Sequence, residues 1–539
     1  MVHVSRSSFM EAITTALVAL VLLSAPTSRV AAGTVNSTTT TCSNWSARYE
    51  KVLEGVCVCN ATSCDALAND HLTLKNYAVG LYQTSLAGDR LTYSTLAATE
   101  DGVDAAADFV IDTTAQYQKI IGFGGAFTDA TAMNVYKTDA AVQKLILDAY
   151  FGKSGLQYTS GRIPIASTDF SESIYSYNAV VDDLAMENFS IDVDKAPQSN
   201  KLAFIQRALA TSERNLTLFA SSWAPPSWMT KENSTLNCHI KGDEYWTALA
   251  LYYSKFFDAY KKEGVSIWGL TTQNEPVRQA GAIKAWQSLR FTAEEERDFL
   301  KKDLGPLFKK NHPEVKIIIM DDQKDEILPW NASFVDPDAK QYVSGVGVHW
   351  YKNLDFVADV LGNFKDLVEF HVLHPDIFIL ATEACGGSLI KGLGTGVGVR
   401  MLEPDVIWKR GEIYARDIIN DLASFASGWT DWNLVLDTNG GPNWAENFVD
   451  APILIDEKGG KEFYKQPMYY VMGHFSKFLT PGSVHVAMNA SETASVAFSK
   501  VDHVAFVTSE KQLAIVLSNR DATEKTVRFS LASEKRHFK

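Results

Sequence analysis

The sequence predicts an α/β protein: a (β/α)8 barrel with an attached β-sandwich and a small N-terminal disulfide-linked β module. Three observations carry this. Between residues 118 and 479 an apolar strand, a polar loop and a helical stretch recur, and eight such strands can be picked out. Residues 71–117 and 480–539 instead alternate polar and apolar side chains between turn residues, so two separated pieces of chain build the sandwich. Four cysteines, Cys42, Cys57, Cys59 and Cys64, crowd into residues 33–70.

The elements follow in order. Residues 1–32 read as a secretory leader, with Arg6 ahead of the apolar run Ala16–Leu23 and a small-residue cleavage site at Val30-Ala31-Ala32. The run is too short to span a bilayer, so the mature chain is expected to be soluble, in a lumen or secreted. Sequons at Asn36, Asn44, Asn60, Asn188, Asn215, Asn233, Asn331 and Asn489 agree with that route. In an oxidising compartment four close cysteines suggest a disulfide knot; metal ligation is the alternative, but no histidine lies in the cluster. Cys238 and Cys385 are left as free thiols. The eight barrel strands are Lys119–Phe127, Thr159–Ser167, Leu216–Trp223, Ile267–Glu275, Val315–Met320, Gly345–Tyr351, Ile377–Glu383 and Gly428–Asn433, with amphipathic stretches such as Leu202–Leu209 and Tyr245–Lys262 between them. Sandwich strands are expected at Ser483–Met488, Val501–Val507, Leu513–Leu517 and Thr526–Leu531. A doubly wound sheet is the other α/β option, but no glycine-rich dinucleotide turn is present.

Two strands, the fourth and the seventh, end in a glutamate: Glu275 in Thr271-Thr272-Gln273-Asn274-Glu275-Pro276 and Glu383 in Ala381-Thr382-Glu383-Ala384. A pair of carboxylates at the C-terminal ends of barrel strands is the minimum equipment for glycoside hydrolysis. The rest of the sequence narrows the field. A net charge of −14 without a basic run argues against nucleic acid. No HExxH spacing supports a metal site, no Gly-x-Ser-x-Gly elbow supports serine hydrolysis, and no cofactor is implied. Twelve Trp, 20 Tyr and 28 Phe give aromatic faces that suit sugar stacking, though core packing accounts for most of them.

Several motifs, in order, resemble glycoside hydrolase family 30 and, within it, the branch that acts on glucosylceramide: Gly122–Ala130, the Thr271–Pro276 turn, His349-Trp350-Tyr351, Ala381–Cys385, Trp429–Asn433, Gly440–Trp444 and Cys57-Val58-Cys59-Asn60. The resemblance spans residues 42 to about 520. It implies Glu275 as general acid/base and Glu383 as nucleophile. Arg162 and Tyr351, at the ends of the second and sixth strands, are expected to supply a cation and a donor to the nucleophile. Asn274 is expected at the sugar 2-hydroxyl, Asp129 at remote hydroxyls, or else as a helix N-cap, and Trp223 and Trp432 as an apolar wall. Asn447 is expected to line the site, and His349 to donate into its network or to be structural. The expected cysteine pairs are Cys42–Cys57 and Cys59–Cys64.

The implied activity is retaining hydrolysis of glucosylceramide or a related glucosyl lipid. Such a substrate implies a membrane surface with acidic phospholipid, a small saposin-like activator, and a lysosomal lumen or the extracellular space. The alternatives are a relative that cuts β-1,6-glucan or xylan and an idle carbohydrate- or lipid-binding protein. One departure stands out. After Phe529-Ser530-Leu531 the chain runs into a charged tail, so the sandwich reads as C-terminally shortened, with Ala514–Leu517 and Val527–Leu531 expected to be poorly covered.

Overall fold

The computed structural model describes residues 2–4, 17–23, 42, 44–46, 56–67, 79–96, 108–197, 199–277, 286–352, 354–355, 360–361, 364–388, 396–399, 406–456 and 459–532. Eight parallel strands close a barrel. They are β1 (Gly122–Ala126), β2 (Ser160–Ile165), β3 (Thr217–Ser222), β4 (Gly269–Thr271), β5 (Lys316–Gln323), β6 (Val343–His349), β7 (Phe378–Glu383) and β8 (Ala426–Asn433). Runs such as Ile317-Ile318-Ile319 in β5 are buried, as expected of a parallel strand covered by helices. β8 pairs with β1, which closes the ring. At Gly124 in β1 a Cβ would lie 1.7 Å from the Ser160 carbonyl oxygen, so only glycine allows β1 and β2 this close.

The helix Asp243–Lys262, between β3 and β4, illustrates the outer layer. Its first turn carries Asp243 and Glu244 and its last turn Lys261 and Lys262, each complementing the helix dipole. Leu249, Tyr252, Tyr253, Phe256 and Tyr260, at helical spacing, are buried on one side.

The cysteine-rich module does not stand alone. Cys42–Cys57 and Cys59–Cys64 are bonded as the sequence predicts. Their strand, Val56–Asn60, pairs antiparallel with Glu462–Lys465 in a five-stranded sheet completed by Trp45–Ser46, Val435–Asp437 and Ile453–Ile455. Asp65, just past the second bond, receives a 2.7 Å bond from the Lys465 ammonium and one of 2.9 Å from the Tyr470 hydroxyl. Cys238 and Cys385 are free and buried.

The sandwich strands form one hydrogen-bonded sheet of nine: Val2–Val4, Val527–Leu531, Phe109–Lys119, Val484–Ala490, Val501–Val507, Leu513–Asn519, Leu17–Leu23, Val79–Ser85 and Thr92–Leu96. Two features differ from the sequence reading. Leu17–Leu23, read as the core of a leader, is a strand paired in parallel with both Leu513–Asn519 and Val79–Ser85. Cleavage after Ala32 would take that strand away and leave its neighbours facing each other across one strand's width. In addition, Ala514, Ile515 and Val516 are fully buried and Val527 and Phe529 nearly so. The expected exposure of these residues is therefore absent; Ile515, Val527 and Phe529 pack in one apolar cluster with Phe109, Ile111 and Val486.

Candidate active site

Every β-strand of the barrel delivers its last residues to one face, and the site is built there. Glu383 is the last residue of β7 and is 6% exposed. Arg162, from β2, binds it through Nη1, and the Tyr351 hydroxyl donates to its other oxygen at 2.8 Å. Burial pushes the Glu383 carboxyl up, against the pull of Arg162 and His349. Burial also raises the Tyr351 hydroxyl well above its ordinary range, so it stays a phenol and a donor.

The chain reaches Glu275 after the β4 ladder has ended at Thr271. Glu275 has φ +45°, in the left-handed region and directly before a proline. Such backbone costs of order 1–3 kcal/mol and persists only where neighbours hold it. Three contacts do so, all from the end of β5. The Glu275 amide donates to the Asp321 carbonyl at 3.0 Å, the Val277 amide to Asp322 Oδ2 at 2.9 Å, and Gln323 Nε2 to Glu275 Oε1 at 3.1 Å.

His349, fully buried at the end of β6, joins the two halves. Nδ1 lies 3.1 Å from Glu275 Oε1 and Nε2 lies 3.0 Å from Asp321 Oδ1. Burial alone would lower its pKa, but the charge of Glu383 and the hydrogen bonds to Asp321 and Glu275 raise it to about 10. It is an imidazolium at any acidic or neutral pH. Asp321 is the hub of the second layer. It accepts from Arg162 Nη2 and Ser221 at 2.8 Å and from Thr271 and Thr382 at 2.6 Å. Burial would raise its carboxyl, but Arg162 and His349 hold it well below the usual carboxylate range. Next to it, burial and the charge of Glu275 push Asp322 up to about 7.

Asn274 Oδ1 accepts from Arg162 Nη2 at 2.8 Å, which fixes the amide with its NH2 end away from the guanidinium. Trp223 and Trp432 stack with ring centroids 4.9 Å apart and planes 19° from parallel, and Arg162 lies 4.8 Å above Trp223. They form one apolar wall beside the ion pair. Asn447 lies on the rim with its amide donating to Asp169 Oδ2 at 2.9 Å; Asn443 donates to the same oxygen at 3.1 Å. Phe170, next to Asp169, sets its ring edge-on to Trp432. Asp129 is placed differently. Its oxygens accept from Ser171 at 2.5 Å, Tyr175 at 2.8 Å and Ser199 at 2.8 Å, and the Lys201 ammonium is 3.4 Å away. Asp129 is thus engaged by protein donors, and the helix N-cap beside it is Thr128.

Glu275, His349 and Glu383 each offer an atom within 4.8 Å of the others, a spacing a cation would accept. The surroundings do not fit one. Both histidine nitrogens are committed to carboxylates, and the Arg162 guanidinium occupies Glu383. The arrangement is a relay of charges and protons instead: a carboxylate held by a cation and a phenol, and a second carboxyl a short distance away.

Four residues of this network, Asp321, Asp322, Gln323 and Asp169, were not among the sequence candidates. The signal was available: each follows the apolar part of a barrel strand, as Glu275 and Glu383 do.

Comparison with known proteins identifies the family. Residues 120–479 match the Glycosyl hydrolase family 30 TIM-barrel domain and residues 482–539 the Glycosyl hydrolase family 30 beta sandwich domain. The chain is 41% identical over 454 residues to Putative glucosylceramidase 3 of Caenorhabditis elegans, covering 83% of each. It is 38% identical over 479 residues to the Lysosomal acid glucosylceramidase of Mus musculus, covering 87% of this chain and 88% of that one. Among solved structures, SrfJ from Salmonella typhimurium superposes with a TM-score of 0.73 at 25% identity, over 83% of this chain and 93% of that one. The endo-β1,6-glucanase BT3312 does so with 0.68 at 25% identity, over 82% and 92%.

Proposed function

This chain belongs to glycosyl hydrolase family 30, and from that premise we propose that it is a retaining β-glucosidase that releases glucose from glucosylceramide through a glucosyl-enzyme intermediate. The observation that carries the mechanism is the spacing of Glu275 and Glu383, with carboxylate oxygens within 4.8 Å. Retaining enzymes hold the pair about 5–5.5 Å apart, whereas inverting enzymes leave about 6.5–9.5 Å for a water.

Glu383, ionised against Arg162, attacks the anomeric carbon. Glu275 gives its proton to the leaving oxygen, so ceramide departs neutral. Glu275, now a base, then takes a proton from water, which attacks the same carbon, and Glu383 leaves as a carboxylate. Asn274 is oriented toward the sugar 2-hydroxyl, where contacts strengthen in the transition state. The tryptophan pair offers its face to the C–H side of the ring. Arg162 and Tyr351 favour the ionised form of Glu383, and His349 ties Glu275 to Asp321.

The aglycone follows from the relatives. A ceramide is delivered from a bilayer, and no helix among the described residues is long and apolar enough to cross one. We therefore include in the proposal a surface of acidic phospholipid, a small saposin-like activator, and a lysosomal or extracellular site of action reached by a cleaved leader.

Purified protein assayed on an aryl β-glucoside, on glucosylceramide in anionic micelles and on β-1,6-glucan tests the reading. The first two are expected to be cut, with β-glucose as the first anomer seen by NMR. α-Glucose as the first product would overturn the mechanism, and preference for the polymer would overturn the substrate.

A further inference from the structure

Glu296 is a fully buried carboxyl that the chemistry above does not use. It lies in the helix Ala293–Phe299, whose N-terminus is fixed by a capping box between Thr292 and Glu295. Three donors converge on it from two neighbouring strands and a loop. Oε1 accepts the Met320 amide at 3.1 Å and the Thr272 hydroxyl, and Oε2 accepts the Trp330 indole N–H.

The Met320 amide is a demanding partner. In the β5–β6 ladder Met320 faces Gly347 and Asp322 faces Val348, so Asp321 has no opposite number and β5 bulges there. Met320 and Asp321 have φ of +68° and +55°, two consecutive non-glycine residues in the left-handed region. Each such residue costs about 1–2 kcal/mol, so the surroundings must over-determine the pair. The bulge is what turns Asp321, Asp322 and Gln323 toward Glu275, with the three contacts described above. Thr272, three residues before Glu275, is the other arm, and its own amide donates to the Ile318 carbonyl at 3.0 Å.

We propose that Glu296 is a positioning residue that pins the β5 bulge to the end of β4 and so aims the groups that hold the acid/base. The inference rests on the reading of Glu275 as acid/base. It predicts a specific pattern of loss, because Glu296 acts on the placement of Glu275 directly, and on Glu383 only at one remove, through Asp321 and Arg162. Burial raises the Glu296 carboxyl to about 7. The hydrogen bonds from Thr272, Trp330 and Met320 pull the other way.

Three variants of the full chain test this: Glu296→Gln, which keeps the Oε1 acceptor; Glu296→Leu, which fills the space without one; and Thr272→Val, which removes the β4 arm. Hydrogen exchange across 316–323 is read without substrate, and kcat, KM and the pH profile are read on an aryl β-glucoside. Glu296→Gln keeps the Oε1 acceptor but sets an NH2 against the Trp330 indole N–H, so it is expected to fall between the parent and Glu296→Leu in exchange and kcat. Glu296→Leu is expected to exchange at least tenfold faster at Met320–Gln323, with kcat at least tenfold lower, KM within threefold and an altered alkaline limb. Thr272→Val is expected to lower kcat at least threefold with KM unchanged. Parent-like exchange and kcat in folded Glu296→Leu would overturn the proposal. Should that variant not fold, an unchanged kcat in Thr272→Val would do so. A parent protein that cuts no β-glucoside would instead overturn the reading of Glu275, while the exchange data would still decide the brace.

Discussion

Replacing Arg162 by methionine should move the acid limb of the pH profile upward. Arg162 bonds Glu383 through Nη1 and reaches Asp321 and Asn274 through Nη2, all three contacts buried. Opposite charges about 4 Å apart are worth roughly 4 kcal/mol at an effective dielectric near 20. One pKa unit is about 1.4 kcal/mol, so the loss is bounded at about three units, in line with the usual one to three units for a carboxylate beside an arginine. The sign is fixed by the role. Burial already raises Glu383, and removing the cation raises it further. The nucleophile must be ionised, so activity is lost at a higher pH on the acid side while the alkaline side moves little. The bell narrows and its maximum falls. The assay is kcat/KM on an aryl β-glucoside at half-unit pH steps. Arg162→Met also leaves two buried carboxylates short of a cation, at about 3–5 kcal/mol. Arg162→Lys therefore belongs in the same experiment; it keeps the charge without the fork and should shift the limb by less than a unit. An acid limb in cooperatively melting Arg162→Met that coincides with the parent would refute the reasoning.

Other expectations follow from the same geometry. Glu383→Gln should abolish the covalent step for all substrates, whereas Glu275→Gln should spare activated ones, and azide should rescue Glu275→Ala as the β-glucosyl azide; an α-azide would reverse the assignment. His349 is raised to about 10 from an ordinary value near 6.5. Its contribution to stability is thus fully present below about pH 6.5 and fades as pH rises toward 10. Thermal melts should show that loss in the parent and not in His349→Gln; parallel pH dependences would contradict it. Cys59→Ala, which opens Cys59–Cys64, should cost about 2–5 kcal/mol, read from chemical denaturation. A chain starting at Gly33 lacks Leu17–Leu23 and should show faster hydrogen exchange in 79–85 and 513–519 than the full chain; equal rates would mean the strand adds nothing.

The barrel was legible because each strand is an apolar run that ends in polar residues. All eight expected segments overlap observed strands. The misses have physical causes. Lys119 belongs to the preceding sandwich strand, Phe109–Lys119, whose second half is partly or fully exposed, and burial resumes only at Ile120. β5 runs three residues beyond the expected Met320 because a bulge, invisible to periodicity, carries it through Asp321, Asp322 and Gln323. The partners of Asp129, namely Ser171, Tyr175, Ser199 and Lys201, were not legible because they arrive from far along the chain.

The antiparallel pairing of Val56–Asn60 with Glu462–Lys465 has a consequence in time. The Asp65–Lys465 ion pair joins residues 400 positions apart. At about 5–20 residues per second, roughly 20–80 s of synthesis separate the two partners. The disulfides close over 15 and 5 residues and need not wait. The module is thus cross-linked while its strand still presents an unpaired edge, until the last turn of the barrel has been made. For that interval the nascent chain carries a preformed, sticky β edge at its front. A chaperone that shields extended apolar backbone would have its longest engagement there, and slowing translation between β1 and β8 should lower the yield of folded protein more than slowing it after Lys465.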